Sequence, residues 1–149
     1  MTETEQFLAR TMPELTKAEI ALHNGDPAPR IAMWSRTDPL TLLGAAMSGR
    51  GWSEIGPTFE LLGQQFSNCT AYENEIVAAE ANGDLAYTVA LEHTTAAIAG
   101  APPHPYVLRA TTIFRREEGE WKVVHRHADA LAADSNAVVG RLTGPDAAQ

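Results

Sequence analysis

The stretch "YVLRATTIFRREEGEWKVVHRHAD", residues 106–129, decides how the chain is read. Two runs rich in β-branched and aromatic residues flank a charged turn that holds one glycine, Gly119, and this is the pattern of a β-hairpin. A two-residue turn would put Glu118 at positive φ, which glutamate disfavours. A three-residue loop keeps Glu117 and Glu118 right-handed and gives the left-handed bulge position to Gly119. Counted from that loop, Arg115 lies opposite Trp121, Ile113 opposite Val123, Thr111 opposite His125 and Arg109 opposite His127. Under a two-residue turn the histidines would instead face Thr112 and Ala110, because one slip moves every side chain to the other face.

In the three-residue register a single face runs from Trp121 and Val123 to Thr111, His125, Arg109, His127 and Asp129. Alternate residues of a strand share a face. A fully solvated face has no use for Trp121 and Val123, and a fully buried one does not accept an unpaired Arg109. The gradient predicts a pocket with an apolar floor and a polar end. The competing reading is an Arg109–Asp129 ion pair with satisfied histidines.

Outward from the hairpin, the second half of the chain reads as strands. "AYENEIVAAEA" ends at the tight-turn signal "NGD", and "LAYTVALEHTTAAIA" ends at "GAPPHP", which no central strand would accept. The first half reads as helices. "TMPE" has the form of a capping box, with Thr11 as N-cap, Glu14 three residues on and Pro13 in the first turn. Leu15, Ala18 and Leu22 follow at helical spacing, and Gly25 is placed to cap the end. "PAPRIAMWS" allows a short second helix, and "DPLTLLG" a short strand. "SEIGPTFELLGQQFSN" carries Ile55, Phe59, Leu62 and Phe66 as one apolar stripe. Helices first and antiparallel strands afterwards predict an α+β domain with helices on one face of a bent sheet.

The 149 residues suit one domain, with a frayed tail over about 141–149. A net charge of −8 disfavours nucleic acid as a partner. Apolar runs are too short and broken to span a bilayer, and "MTETEQFLAR" lacks the basic and apolar regions of a secretory signal. The simplest expectation is a cytoplasmic protein with no membrane partner. Cys69, the single cysteine, cannot form an internal disulfide. His125, His127 and Asp129 could share a metal with His93 or Glu92, but Arg109 beside them opposes a cation, so neither metal nor cofactor is expected. Tyr87 is expected in the core, His23 and His104 in solvent, and Glu92 paired with Arg126 or Arg115 on the sheet exterior.

The pieces "ALHNGDPAPRIAMWS", "DPLTLLG", "YVLRATTIFRREEGEW" and "VVHRHAD", in this order and spacing, resemble the nuclear transport factor 2-like superfamily over about residues 14–131. The resemblance is to its SnoaL-like, or ketosteroid isomerase-like, group. It implies a cone: a strongly curved, mostly antiparallel sheet around a cavity covered by about three N-terminal helices, in a homodimer joined through the sheet exterior. Resemblance to the kinase association domain in the superfamily implies that Arg109 and His127 stand in the cavity. Comparison with ketosteroid isomerase puts the base position at Leu43 or Gly44, five residues beyond Asp38, so steroid isomerisation by that route is not expected. Met12 occupies the place of the family's donor tyrosine.

These residues suggest a chemistry. His127, with Asp129 to orient it, is the candidate proton carrier, and Arg109, His125, Thr111 and Trp34 are the candidate substrate-binding residues. A base beside a fixed guanidinium suits proton abstraction next to a carbonyl, as in an isomerase or cyclase acting on a small, possibly anionic molecule. The alternative is a non-catalytic module of the same fold that binds a small ligand and dimerises.

Overall fold

The computed structural model describes residues 1–130. The tail expected over about 141–149 lies outside the described residues. The chain runs through α1 (Glu3–Leu22), α2 (Ala28–Met33), β1 (Thr41–Leu43), β2 (Ser48–Arg50), α3 (Trp52–Gln65), β3 (Phe66–Asn82), β4 (Leu85–Ile98), β5 (His104–Glu117) and β6 (Glu120–Ala130). The six strands form one open sheet in the order β2-β1-β6-β5-β4-β3. All pairings are antiparallel except β1 with β6. This is the α+β arrangement read from the sequence, with the small β1–β2 hairpin added beside the last strand.

α1 begins eight residues before the expected capping box. Thr2 is the N-cap, accepting from the Glu5 backbone N–H at 3.0 Å, and Pro13 lies inside the helix. The buried stripe Phe7, Thr11, Leu15, Ala18, Leu22 explains the extension, because the helical period runs unbroken through Thr11. α3 carries its stripe as expected over Ile55, Phe59 and Leu62, whereas Phe66 already opens β3. Gly63 lets α3 approach α2: a Cβ there would come within 2.9 Å of Pro27 Cδ.

At one end of the sheet the layers meet as solid apolar packing. Phe7 stacks edge-on with Phe114 at 5.0 Å and with Trp121 at 5.2 Å, and Trp34 packs on Phe59. Trp34, expected in the pocket, is 3% exposed and belongs to this core. Tyr87, expected in the core, is on the outer face and 39% exposed, because the even-numbered residues of β4 face the helices.

The hairpin differs from the sequence reading in register. Glu117 pairs with Glu120, so the turn has two residues, with Glu118 at φ 51° and Gly119 at φ 80°. Pairing then runs Arg116–Trp121 and Phe114–Val123, and a bulge follows, after which Ile113 pairs with His125, Thr111 with His127 and Arg109 with Asp129. The extra residue is Val124. Val123 and Val124 are consecutive and both buried, as a bulge requires when it shifts a strand by one. Inward Phe114 and Val123 on the apolar core outweigh the strain of one left-handed glutamate, about 1–2 kcal/mol. Relief of that strain is measurable: Glu118→Asn, creating an Asn-Gly turn, is expected to raise stability by about 0.5–1 kcal/mol in chemical denaturation, with no change in fold.

Candidate functional site

The bulge decides which side chains see the interior. Beyond Val124, the inward residues of β6 are Arg126 and Ala128, and the outward ones are His125, His127 and Asp129. The expected constellation therefore stands on the outer face of the sheet. Arg109 makes a bidentate pair with Asp129, at 2.8 and 2.9 Å, with side chains 41% and 52% exposed. His125 Nδ1 shares a 2.6 Å hydrogen bond with Thr41 Oγ1. His127 is exposed beside Thr111, and Leu43 lies alongside it on β1. Arg109, Thr111, His125, His127 and Asp129 do share one face, as expected, but Trp121 and Val123 are on the other. The unforeseen bulge is the reason. Among the described residues no cluster of three or more histidine, cysteine, aspartate or glutamate side chains is arranged to hold a metal.

The sheltered hollow lies on the opposite side, between the sheet and the helices. It has a volume of about 470 Å³. Leu22, Leu42, Leu62, Phe66, Ile98 and Leu108 form apolar walls, and the loop Gly44–Met47 stands at its side. Its polar residues are His23, Arg30, Tyr106 and Arg126, with Thr58 and Gln65 from α3 and His104, expected in solvent, at the start of β5. A wider depression of about 680 Å³ between Trp34 and Lys122 is open to solvent. Several of its polar groups are already engaged: Glu117 accepts from Ser35 at 2.7 Å and from Arg115 at 2.8 Å, and Lys122 donates to the Ala32 carbonyl at 3.0 Å.

Four charged residues stand behind the polar end of the cavity. Arg126 on β6 donates to both Glu92 oxygens on β4, at 2.8 and 2.6 Å. Arg30 on α2 donates to both oxygens of Glu19 on α1. Arg126 also lies 3.9 Å from Glu19. All four residues are under 10% exposed. Two carboxylates and two guanidinium groups cancel in formal charge, so among the described residues these four give no surplus positive charge to favour an anionic ligand. Burial works to raise the Glu19 carboxyl, but the attractions of Arg30 and then Arg126 outweigh it and leave it below the ordinary range. Arg126 is raised: the Glu92 charge and hydrogen bonds overcome the burial that opposes them. The Glu92–Arg126 pair is one of the two expected partnerships, but it lies on the inner side of the sheet and not on its exterior.

His23, read as a solvated helix end, is 4% exposed. Its Nδ1 lies 2.7 Å from the Glu19 carbonyl oxygen, and its Nε2 is bonded to the Tyr106 hydroxyl. Burial holds the imidazole below its ordinary pKa of 6.5, although the Glu19 charge pulls the other way. Burial pushes the Tyr106 phenol up to about 12. The ground state is therefore neutral histidine beside protonated tyrosine. The sequence does carry a signal for this pair. His23 continues the inward stripe of Phe7, Thr11, Leu15 and Glu19 at a spacing of four. Tyr106 is the inward member of β5 that shares the parity of Leu108 and Ala110.

The SnoaL-like domain family matches residues 15–133 of this chain. Among solved structures, an NTF2-like family protein of Streptomyces avermitilis that carries a provisional dehydratase name is 18% identical, with 87% of this chain and 99% of that one covered at a TM-score of 0.67. An uncharacterised protein with a cystatin-like fold from Caulobacter vibrioides is 16% identical over 96% of this chain and 100% of its own, at a TM-score of 0.68. An NTF2-like protein of unknown function from Pseudomonas putida is 22% identical over 84% and 82%, at a TM-score of 0.59. At these identities the likeness is one of fold. No curated protein matches the chain.

The depressed histidine makes a pH dependence. Its folded-state pKa lies below the unfolded value near 6.5, so the unfolded chain takes up the proton first. The resulting stability is complete above pH 6.5 and falls as pH drops through the folded-state pKa, by at most about 1.4 kcal/mol per pH unit for one proton. His125, lowered by burial and by His127, adds to the same window. Thermal unfolding between pH 7 and pH 5 is expected to show a falling Tm in the unmodified protein and a shallower fall in His23→Gln.

Proposed function

The chain belongs to the SnoaL-like domain family, and from that premise we propose that its inner cavity binds a small, largely apolar and uncharged organic molecule, with His23 and Tyr106 as the place of proton transfer. The observation that carries the reading is the convergence of an apolar hollow of about 470 Å³ on one neutral histidine–tyrosine pair. Folded interiors rarely keep voids of this size, and a cavity with few convergent polar groups is the usual form of a small-molecule site. Buried titratable groups displaced from their ordinary pKa values support proton chemistry there. A neutral imidazole can take up a proton at neutral pH through the Tyr106 hydroxyl bonded to its Nε2, and nearby guanidinium N–H groups can share the charge of an oxyanion. The reaction class that suits these groups is proton movement next to a carbonyl through its enol, as in an isomerase or a cyclase. The provisional dehydratase name of the Streptomyces avermitilis relative belongs to the same broad chemistry of C–H proton removal. The ligand is better matched as neutral than as anionic, since both guanidinium groups already have carboxylate partners.

We infer also that two copies pair through the outer face of the sheet. Tyr87, Val89, Leu91 and Val107 form its apolar centre on β4 and β5. Glu73, Glu75 and Glu80 lie to one side on β3, and the Arg109–Asp129 pair with His125 and His127 to the other. A two-fold axis through the centre sets the apolar residues of the two copies against one another, the self-matching an isologous interface needs.

Both parts have direct tests. N-phenyl-1-naphthylamine, a neutral apolar fluorophore, is expected to bind saturably, and Leu108→Trp, which fills the cavity, is expected to weaken it about tenfold or more. Binding unaffected by that substitution would refute the cavity reading. His23→Gln should keep the fluorophore while reducing protein-catalysed deuterium exchange of α-hydrogens in small cyclic ketones by about a hundredfold; an unchanged rate would leave a binding protein without proton chemistry. For the outer face, light scattering should give twice the monomer mass for the unmodified chain and the monomer mass for Leu91→Glu, and a monomer in both cases would remove the dimer.

A further inference from the structure

The hydrogen bonds around His23 and Tyr106 have a direction, and that direction selects a ligand. A carbonyl oxygen only accepts, so the 2.7 Å contact of His23 Nδ1 with the Glu19 carbonyl places the imidazole proton on Nδ1. A neutral imidazole carries one such proton, which leaves Nε2 as a bare acceptor. The single proton of Tyr106 is therefore given to Nε2 and is not available to anything in the cavity. What Tyr106 offers instead is its oxygen as an acceptor beside the cavity that Tyr106 lines, with Thr94 opposite it on the neighbouring strand.

We propose that the cavity selects a molecule with an acidic hydroxyl, a phenol or an enol, whose O–H donates to the Tyr106 oxygen. This rests on the ligand-binding reading given above and narrows it. A ketone, ether or ester presents only acceptors and leaves the Tyr106 oxygen unmatched. A hydroxyl matches it and can also accept from a guanidinium N–H of Arg30 or Arg126 that the carboxylates do not use. A ring or double bond draws charge from a hydroxyl oxygen and strengthens its O–H as a donor, so a phenol or an enol suits the Tyr106 oxygen better than an aliphatic alcohol does.

The test compares 4-methylphenol with 4-methylanisole, its methyl ether, as competitors of N-phenyl-1-naphthylamine in the full chain. The phenol is expected to displace the fluorophore about tenfold more effectively than the ether, the factor for one buried acceptor left unmatched. Tyr106→Phe is expected to bring the two within about twofold of each other, by weakening the phenol and not the ether. Equal competition by phenol and ether in the unmodified protein overturns the proposal while leaving the cavity reading intact, as does an undiminished preference for the phenol in Tyr106→Phe. If the fluorophore itself fails to bind, the cavity reading falls and this inference falls with it.

Discussion

The bidentate pair between Arg126 and Glu92, continued through Glu19 to Arg30, is the interaction on which the remaining geometry depends. It joins β6, β4, α1 and α2 through four buried side chains. Removing water from such charges costs several kcal/mol per ion, and mutual attraction returns that only when every member is present and well aimed. Deleting one member would leave its partner buried and uncompensated, a loss of about 3–5 kcal/mol. An apolar replacement of the whole group could be equally stable, so stability alone is a weak reason for its presence. Its evident effect is positional. Glu19 stands one helical turn before His23, and its carbonyl fixes the imidazole while its carboxylate fixes α1 against α2.

The bulge at Val124 is the complementary backbone device. Without it, the parity of β6 set by Trp121 and Val123 would carry His125 and His127 inward and send Arg126 out. With it, one strand serves the apolar core at one end and the ion network at the other. A single unpaired residue thus turns two imidazoles to the outer face and one guanidinium to the inside. The two-residue turn and the bulge act together, since each alone would put the wrong side chains inside.

Much of the architecture is legible in the residues. Period-four stripes in α1 and α3 and strand runs ended by "NGD" and "GAPPHP" give helices and strands in the right order, because periodicity is a local property. Side-chain placement in β6 is not local. A bulge has no composition of its own in "WKVVHRH", and the left-handed Glu118 goes against the preference of its residue type. The misplacement of Arg109 and His127 follows from those two facts. His23 continues the period-four stripe of α1, but its partner Tyr106 stands 83 positions away, so the pair itself is not a local property of the chain. Glu92 carried a usable sign. It shares parity with Ala86, Ala90 and Ala96, all nearly fully buried, and an inward glutamate in such a row needs a cation.

Small inward residues of β6 also explain why the interior is hollow at one end only. Toward the β5–β6 turn the inward positions carry Phe114, Trp121 and Val123, which fill the space under Phe7 of α1. Toward the other end β6 carries Ala128 and Ala130 at the cavity, beside Tyr106 and Leu108 of β5, and the helix above offers His23 in place of a large apolar side chain. Small residues opposite one another would ordinarily let the layers collapse together. Here the ion network holds α1 and α2 at a fixed distance from β4 and β6, and the volume stays open. The same four charges that make no net field for an anion therefore act as struts, and the cavity exists because they are paired rather than in spite of it.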